Sequence, residues 1–271
     1  MQTFLFDMDG TLTYPRKKIQ KEMITFLTEL STCGDIGVVT GSPIEYIKDQ
    51  LGPLFNESKP NILRKVTLYP CNGTQVYSYR PETGEFEQTY KVSIKDHLSN
   101  HGDPDVLYYH LVMNLLDLQT YALKKFKDIK PTGHFVSFRE SLINWCMIGR
   151  EADHPSRKSF VDIDSDLNIR DHLKELLDSR LSAFGLGSLT TALGGSTSID
   201  IYPNQWDKTY VLNHVDADCA WFFGDKCKPR GNDYAIFKKL SKTNRSFEVI
   251  CPDDTLLKAG SVLERLKSDD A

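Results

Sequence analysis

Thr3-Phe4-Leu5-Phe6-Asp7-Met8-Asp9-Gly10-Thr11-Leu12-Thr13 is the stretch that decides the reading of this chain. A short apolar run ends at a carboxylate, a second carboxylate follows two positions later, and a glycine turns the backbone. An apolar run closed by turn chemistry is a buried-strand signal. Two carboxylates at i and i+2 repel each other unless a cation lies between them. Oxygen donors suit a hard divalent ion, and Mg²⁺ is the natural partner. The plain structural alternative is a polar strand exit with a turn glycine.

Moving outward, apolar runs recur at residues 36–39, 63–69, 219–223 and 247–251. Helical spacing fills residues 19–30, 42–51, 206–215, 233–240 and 255–266. Ser42-x-x-Glu45 with Pro43 between them predicts a capping box at the start of the second helix. Strands alternating with helices imply a parallel sheet covered on both faces. The middle of the chain differs. Residues 92–98, 105–126 and 169–181 read as helices, while 134–148 and 197–202 alternate. That pattern predicts an antiparallel sheet with helices on one face. The expected fold class is α/β: a Rossmann-like parallel-sheet core with an inserted α+β cap domain. The core is expected at residues 1–83 and 191–271 and the cap at 84–190. Gly185 and Gly187 lie near the return crossing, with Gly194-Gly195 as the alternative.

If residues 134–138 and 142–148 pair across a two-residue turn, Arg139 lies opposite Leu142, Ser137 opposite Asn144 and Phe135 opposite Cys146. Arg139, Ser137, Asn144 and Arg150 then share one face. Val136, Phe138, Ile143, Trp145 and Met147 share the other, suited to helix cover. A straight strand puts Arg150 about 27 Å from Arg139. Either the chain bends near Gly149, or the register differs, or the two arginines do not share one phosphate.

Length and composition set the outer bounds. The 271 residues allow one large domain or two modest ones, and 40% hydrophobic with 26% charged residues fits a globular chain. No apolar run approaches the roughly 20 residues needed to span a bilayer. The opening residues lack the basic and apolar regions of a secretory signal. A formal net charge of -4 offers no basic footprint for nucleic acid or an anionic membrane. Cations for a small anionic substrate must therefore be gathered locally. Cys33, Cys71, Cys146, Cys219, Cys227 and Cys251 form no C-x-x-C pair, so thiols in a cytoplasmic compartment are expected.

Three other strand candidates end as the first does, in Thr40-Gly41-Ser42, Asn72-Gly73 and Gly224-Asp225. In an open parallel sheet the carboxyl ends line one crevice. The fold would therefore gather Asp7, Asp9, Ser42 and Asp225, with Asp225 as a third carboxylate for the metal. Asn232 and Asp233 on the next loop are expected to orient it through hydrogen bonds. Ser42 also reads as a plain helix N-cap, which is compatible with anion binding. Lys208, after Trp206-Asp207, is a candidate fixed positive charge; the alternative is a solvated helix residue.

The run from Asp7 to Thr13, the Thr40-Gly41-Ser42 turn, Lys208 and Gly224-Asp225 together resemble the haloacid dehalogenase superfamily of phosphotransferases. Pro15-Arg16, Phe138-Arg139, Ile148-Gly149-Arg150, Gly194-Gly195 with Ser198-x-Asp200, Trp206-Asp207-Lys208 and Phe222-Phe223-Gly224-Asp225-Lys226 resemble the eukaryotic-type phosphomannomutases in particular. The resemblance implies Asp7 as nucleophile and Asp9 as general acid and base. It implies Mg²⁺ held by Asp7, Asp225 and the backbone carbonyl of Asp9, and the transferring phosphoryl group held by Ser42 and Lys208. Arg16, Arg139, Arg150, Arg157, Ser198 and Asp200 would hold the sugar phosphate, and the backbone of Phe237 matches a structural cation position. The implied activity interconverts mannose 1-phosphate and mannose 6-phosphate through an aspartyl phosphate and a hexose bisphosphate. It would feed GDP-mannose synthesis, in a homodimer formed through a cap that opens and closes. A Mg²⁺-dependent sugar-phosphate phosphatase of the same superfamily is the alternative, and a catalytically dead scaffold a third reading. The arginine set favours the mutase, because hydrolysis needs no second phosphate grip.

The chain departs from the family pattern at several points. Thr40 stands where many members have glycine, Cys71 where glutamate is usual, and Arg230 where the Pro-Gly-Gly-Asn-Asp loop has its first glycine.

Overall fold

β1 (Gln2–Phe6) lies near the middle of a seven-stranded sheet. Phe4 and Phe6 enter one buried cluster and Leu5 another, all three without exposed surface. A strand covered on both faces reads as a continuous apolar run, which explains why this stretch does not alternate. The computed structural model describes residues 2–269. The chain continues through α1 (Lys21–Leu30), β2 (Gly34–Val39), α2 (Ile44–Glu57), the single turn α3 (Pro60–Leu63), β3 (Val66–Tyr69), β4 (Gln75–Arg80) and β5 (Glu85–Lys91). A second group follows: α4 (Ile94–Leu98), α5 (Pro104–Lys125), β6 (Val136–Phe138), β7 (Ile143–Cys146), α6 (His154–Leu167), α7 (Ile169–Ala183), β8 (Leu189–Gly194) and β9 (Ser198–Pro203). β10 (Ala220–Gly224), α8 (Tyr234–Ser241), β11 (Ser246–Glu248) and α9 (Pro252–Asp269) complete the first sheet and its cover.

The first sheet has the order β11-β10-β1-β2-β3-β4-β5. The pairs from β11 to β3 are parallel, while β3–β4 and β4–β5 are antiparallel. The antiparallel hairpin extends the expected parallel sheet; it lies at the edge and β5 is largely exposed, so its sequence carries little apolar signal. The chain moves outward from β1 through β2 and β3, then resumes on the opposite side as β10. Strand order therefore reverses between β1 and β10, and loops leaving those two strands diverge to open a crevice. The Asp7 amide donates to the Phe223 carbonyl at 2.9 Å, extending the β1–β10 ladder to the rim of that crevice.

Local expectations were altered in four places. The Ser42–Glu45 capping box does not form: Pro43, extended at φ -71° and ψ 167°, is the N-cap and supplies no side-chain hydrogen bond. Ser42 is instead held upstream, its amide donating to Thr40 Oγ1 and its carbonyl accepting from Cys71. Residues 63–69 begin as the end of α3 before extending. Residues 206–215 form a 3₁₀ run, Lys208–Asn213, capped by Asp207 accepting from the Thr209 amide at 2.8 Å. The last strand is only three residues long, because Pro252 already begins α9.

Two compact units divide the chain: Met1–Lys91 with Trp206–Ala271, and Val92–Gln205. These limits correct the expected 83/84 and 190/191 boundaries. β5 completes the first sheet, and both β8 and β9 belong to the second, so the return crossing falls after residue 205. The second sheet is antiparallel, in the order β6-β7-β9-β8. Its first hairpin has the expected register, with Ser137 opposite Asn144 and the Arg139 amide donating to Leu142. Ile143, Trp145 and Met147 are buried against leucines of α5 and α7, and Trp145 Nε1 donates to Gln119 at 2.7 Å. Phe138 departs from this scheme: it is 47% exposed, edge-on to Tyr108 at the end of the strand. Gly149 supplies the bend that brings Arg150 back. Its φ is +86°, and a Cβ there would lie 2.2 Å from the Gly133 carbonyl oxygen.

Candidate active site

The site in the first unit begins where β1 and β10 end. Asp7 follows β1, Asp225 follows β10, and Asp233 precedes α8. One oxygen from each of these carboxylates lies within 4.8 Å of the other two. Gly10 permits this closeness: a Cβ there would sit 2.5 Å from Asp225 Oδ2. Lys208 reaches the cluster from the start of its 3₁₀ run, and its ammonium bonds both Asp7 Oδ1 and Asp233 Oδ1. Its side chain has no exposed surface. A buried ammonium needs opposite charge, and removing one partner of such a pair costs about 3–5 kcal/mol. The turn that carries Lys208 is itself fixed, by Asp207 at its start and by Asn72 donating to the Trp206 carbonyl at 3.3 Å.

Three carboxylates facing one ammonium leave a surplus of negative charge. Burial pushes the Asp7 carboxyl up to about 7; Lys208 pulls against this, while Asp233 and Asp225 add to it. Burial also raises Asp225, with Lys226 opposing. Lys208 is depressed by burial, but Asp233 and Asp7 outweigh that and hold it charged. This all-oxygen, electron-rich donor set fits a hard divalent cation. Asp233 departs from its expected place: it lies in the cluster itself, fully buried, with Oδ2 accepting the Lys226 amide at 3.0 Å. Asn232 is exposed beside it. Phe237 stands one helical turn beyond Asp233, and its carbonyl accepts from Ser246 Oγ.

The loop between Asp225 and Asp233 holds one departure from the family pattern, Arg230, at a strained position. Gly231 donates to the Lys228 carbonyl at 2.9 Å across Pro229 and Arg230, and Arg230 has φ +76°. Proline followed by a left-handed residue is the pattern of a type II turn, whose third position favours glycine. An arginine there carries a cost of about 1–2 kcal/mol. Gly231 is constrained by space instead, because its Cβ would lie 2.0 Å from the Lys226 carbonyl oxygen.

Asp9 projects from the same opening loop but outside the acidic cluster. Its Oδ1 accepts from the Arg16 amide at 2.9 Å and from Gln50 Nε2 at 3.2 Å. Arg16 takes φ +61°, and its side chain is exposed. Ser42, half-buried, lies at the carboxyl end of β2, the neighbour of β1.

The second unit gathers a different set. Asn144 and Asp200 are direct partners on β7 and β9, and Asn144 Nδ2 donates to Asp200 Oδ1 at 2.6 Å. Arg150, returned by the Gly149 bend, donates to Asn144 Oδ1 at 3.1 Å. Burial raises the Asp200 carboxyl, while Arg139, the Asn144 bond and Arg150 pull it down. Arg139 and Arg150 thus both act on Asp200. A Cβ at Gly194 would lie 2.7 Å from that carboxylate, so the glycine makes its room. Ser198 is buried two residues before it. Arg157 is turned toward the chain: Nε donates to Ala152 O, Nη2 to Arg150 O and Nη1 to Thr197 Oγ1. It clamps the turn that carries Arg150. Gln50 is the polar group that sequence reasoning missed; its signal was a polar residue inside the apolar stripe of α2.

The fold and the acidic site define a haloacid dehalogenase-type protein. A solved IMP-nucleotidase from Plasmodium falciparum has the same fold, with TM-score 0.65 and 11% identity over 98% of this chain and 69% of that one. The family model for eukaryotic phosphomannomutase matches residues 23–265. A probable phosphomannomutase of Caenorhabditis elegans is 31% identical, covering 97% of this chain and 95% of that protein. Phosphomannomutase 1 of Dictyostelium discoideum is 34% identical, covering 93% and 92%. The chain belongs to the eukaryotic phosphomannomutase family.

The charge surplus has a measurable consequence. With its folded-state carboxyl raised from 3.8 to about 7, Asp7 contributes stability that is complete below 3.8 and is lost as pH rises through about 7. A cation binding there displaces that proton. Excess Mg²⁺ is expected to stabilise the fold, by up to about 2.7 kcal/mol at 100 times Kd, and so to raise Tm more at about pH 8 than at about pH 5. A shift that is absent, or equal at both pH values, contradicts a carboxylate cation site.

Proposed function

We propose that this chain is a phosphomannomutase that interconverts mannose 1-phosphate and mannose 6-phosphate through an Asp7 phosphoryl intermediate. The observation that carries this reading is the buried Lys208 ammonium bonded to Asp7 inside the acidic cluster at the β1–β10 exit. Asp7 attacks the phosphorus, forming an Asp7 O–P bond as the bond to the donor oxygen breaks. Asp9 gives its proton to the departing sugar oxygen and takes one from the incoming hydroxyl in the return step. Lys208 and Ser42 hold the transferring group, and Asp233 fixes Lys208. Asp7, Asp225 and the Asp9 carbonyl would hold Mg²⁺, which offsets carboxylate charge and polarises the phosphoryl group when bound. Phosphoryl transfer depends chiefly on such positioning and charge stabilisation.

A mutase also needs a grip on the phosphate that is not reacting. Planar guanidinium groups hold phosphate bidentately. Arg139 and Arg150, braced by Asn144 and Asp200, are the distal grip in the second unit, with Ser198 as a further sugar-phosphate contact there; Arg16 is the corresponding candidate in the first unit. Arg157 contributes by fixing the turn that carries Arg150. A hexose bisphosphate primes the cycle by loading Asp7. The two half-reactions present opposite ends of the sugar, so the grip must accept either end. The reading includes a cytoplasmic place in the supply of GDP-mannose.

Val106, Tyr109, Met113 and Leu116 form an exposed apolar stripe along α5, at helical spacing. This supports a homodimer through the second unit. Sedimentation should show a dimer, and Met113→Asp with Leu116→Asp should give a folded monomer; an unchanged dimer would place the interface elsewhere.

The function is tested by supplying mannose 1-phosphate, Mg²⁺ and a trace of hexose bisphosphate, then following both isomer and free phosphate. Isomer without phosphate supports the mutase, and phosphate without isomer supports hydrolysis. Arg139→Ala should weaken sugar-phosphate binding by about 2 kcal/mol, roughly thirtyfold in KM, with transfer from a small acyl phosphate less affected. Equal loss on both donors contradicts a distal grip.

A further inference from the structure

The apolar face of α2 carries one polar side chain. Ile47, Leu51 and Leu54 are fully buried on that face, and Gln50 among them is 1% exposed. A primary amide buried without partners costs roughly 1–3 kcal/mol. Gln50 has a partner for each polar atom. Nε2 donates to Asp9 Oδ1 at 3.2 Å, and Oε1 accepts from the Thr13 hydroxyl at 2.7 Å. The reverse amide placement would set a carbonyl oxygen against a carboxylate oxygen, so the chemistry of Asp9 fixes the orientation. The Arg16 amide donates to the same Asp9 Oδ1 at 2.9 Å. Among the described residues, no side chain or amide donates to Asp9 Oδ2.

We propose that Gln50 is a positioning residue for proton transfer: with the Arg16 amide it holds Asp9 Oδ1, and Oδ2 is thereby the oxygen that exchanges the proton with the sugar. The proposal rests on the phosphoryl-transfer reading above. In the step it serves, the Asp7 O–P bond forms and the P–O bond to the sugar breaks. The proton on Asp9 Oδ2 moves to the leaving sugar oxygen, leaving Asp9 a carboxylate. Thr13 fixes Gln50 and Gln50 fixes Asp9, and the Gly10 amide donates to the Thr13 carbonyl at 2.7 Å. A purely structural role is separable, because the backbone carbonyl of Gln50 already ties the chain at Ile19 by accepting its amide at 2.9 Å. That tie survives replacement of the side chain.

The test compares two phosphoryl donors. Acetyl phosphate expels acetate, which leaves without a proton; a sugar phosphate expels an alkoxide, which needs one. Gln50→Glu keeps the size and the acceptor for Thr13, and sets a carboxylate oxygen where the donor to Asp9 stood. Gln50→Met loses both arms. Both variants are expected to lower kcat on mannose 1-phosphate by about tenfold or more, since positioned proton transfer is worth roughly 10²–10⁴. KM and the rate of Asp7 phosphorylation from acetyl phosphate should stay within about twofold of the parent. Thermal melting of each variant checks folding, and Gln50→Glu remains informative if Gln50→Met does not fold. Unchanged kcat on the sugar phosphate, or equal loss on both donors, overturns the positioning role while leaving the mutase reading intact. A parent protein that transfers from neither donor overturns both.

Discussion

The buried Lys208 ammonium is the interaction on which the first unit is organised. It bonds one carboxylate from the β1 exit and one from the start of α8. Those residues are far apart in sequence, and the sheet brings them together because strand order reverses between β1 and β10. An ammonium without exposed surface is tolerable only while both partners stay in place. The same two carboxylates, joined by Asp225, carry more negative charge than one lysine offsets. A hard cation would offset that surplus, and the loops around the site allow the carboxylates their closeness. Gly10 lets Asp225 approach, and Gly231 lets the loop to Asp233 fold back on Lys226.

The second unit follows a different rule. Its site is a line of hydrogen bonds across a sheet, from Arg150 through Asn144 to Asp200. What brings Arg150 into that line is a backbone constraint, the left-handed turn at Gly149. Arg157 then locks the turn from α6. Rigid presentation of planar guanidinium groups suits recognition of a tetrahedral, doubly charged phosphate, since little side-chain entropy remains to be lost on binding.

Much of this was legible in the sequence. Apolar runs ending in Asp7, Ser42 and Asp225 announce parallel strands whose carboxyl ends share a crevice, and the period-two pattern around Glu140 announces the hairpin and its register. The unread parts share physical causes. The β4–β5 hairpin sits at an exposed edge, where polar residues carry no periodic apolar signal. The expected unit boundaries fall earlier because β8, Leu-Thr-Thr-Ala-Leu-Gly, carries no clear apolar alternation and β9 follows glycines that look like a crossing. Asp233 joined the cluster because Gly231 folds its loop back, a distance effect invisible to spacing along the chain. Gln50 was legible in principle, as a polar residue at a buried helical position, but its partners at Asp9 and Thr13 emerge only once the loop is folded.

The central claim is that Asp7, held by Lys208 in a cation-completed cluster, takes and returns the phosphoryl group. Peptide mapping after acid quench of protein loaded from a labelled acyl phosphate donor tests it most directly. The account predicts one labelled peptide, with the label at residue 7 and discharged by added mannose 1-phosphate. Label on any other residue, or stable label that the sugar phosphate does not remove, contradicts it.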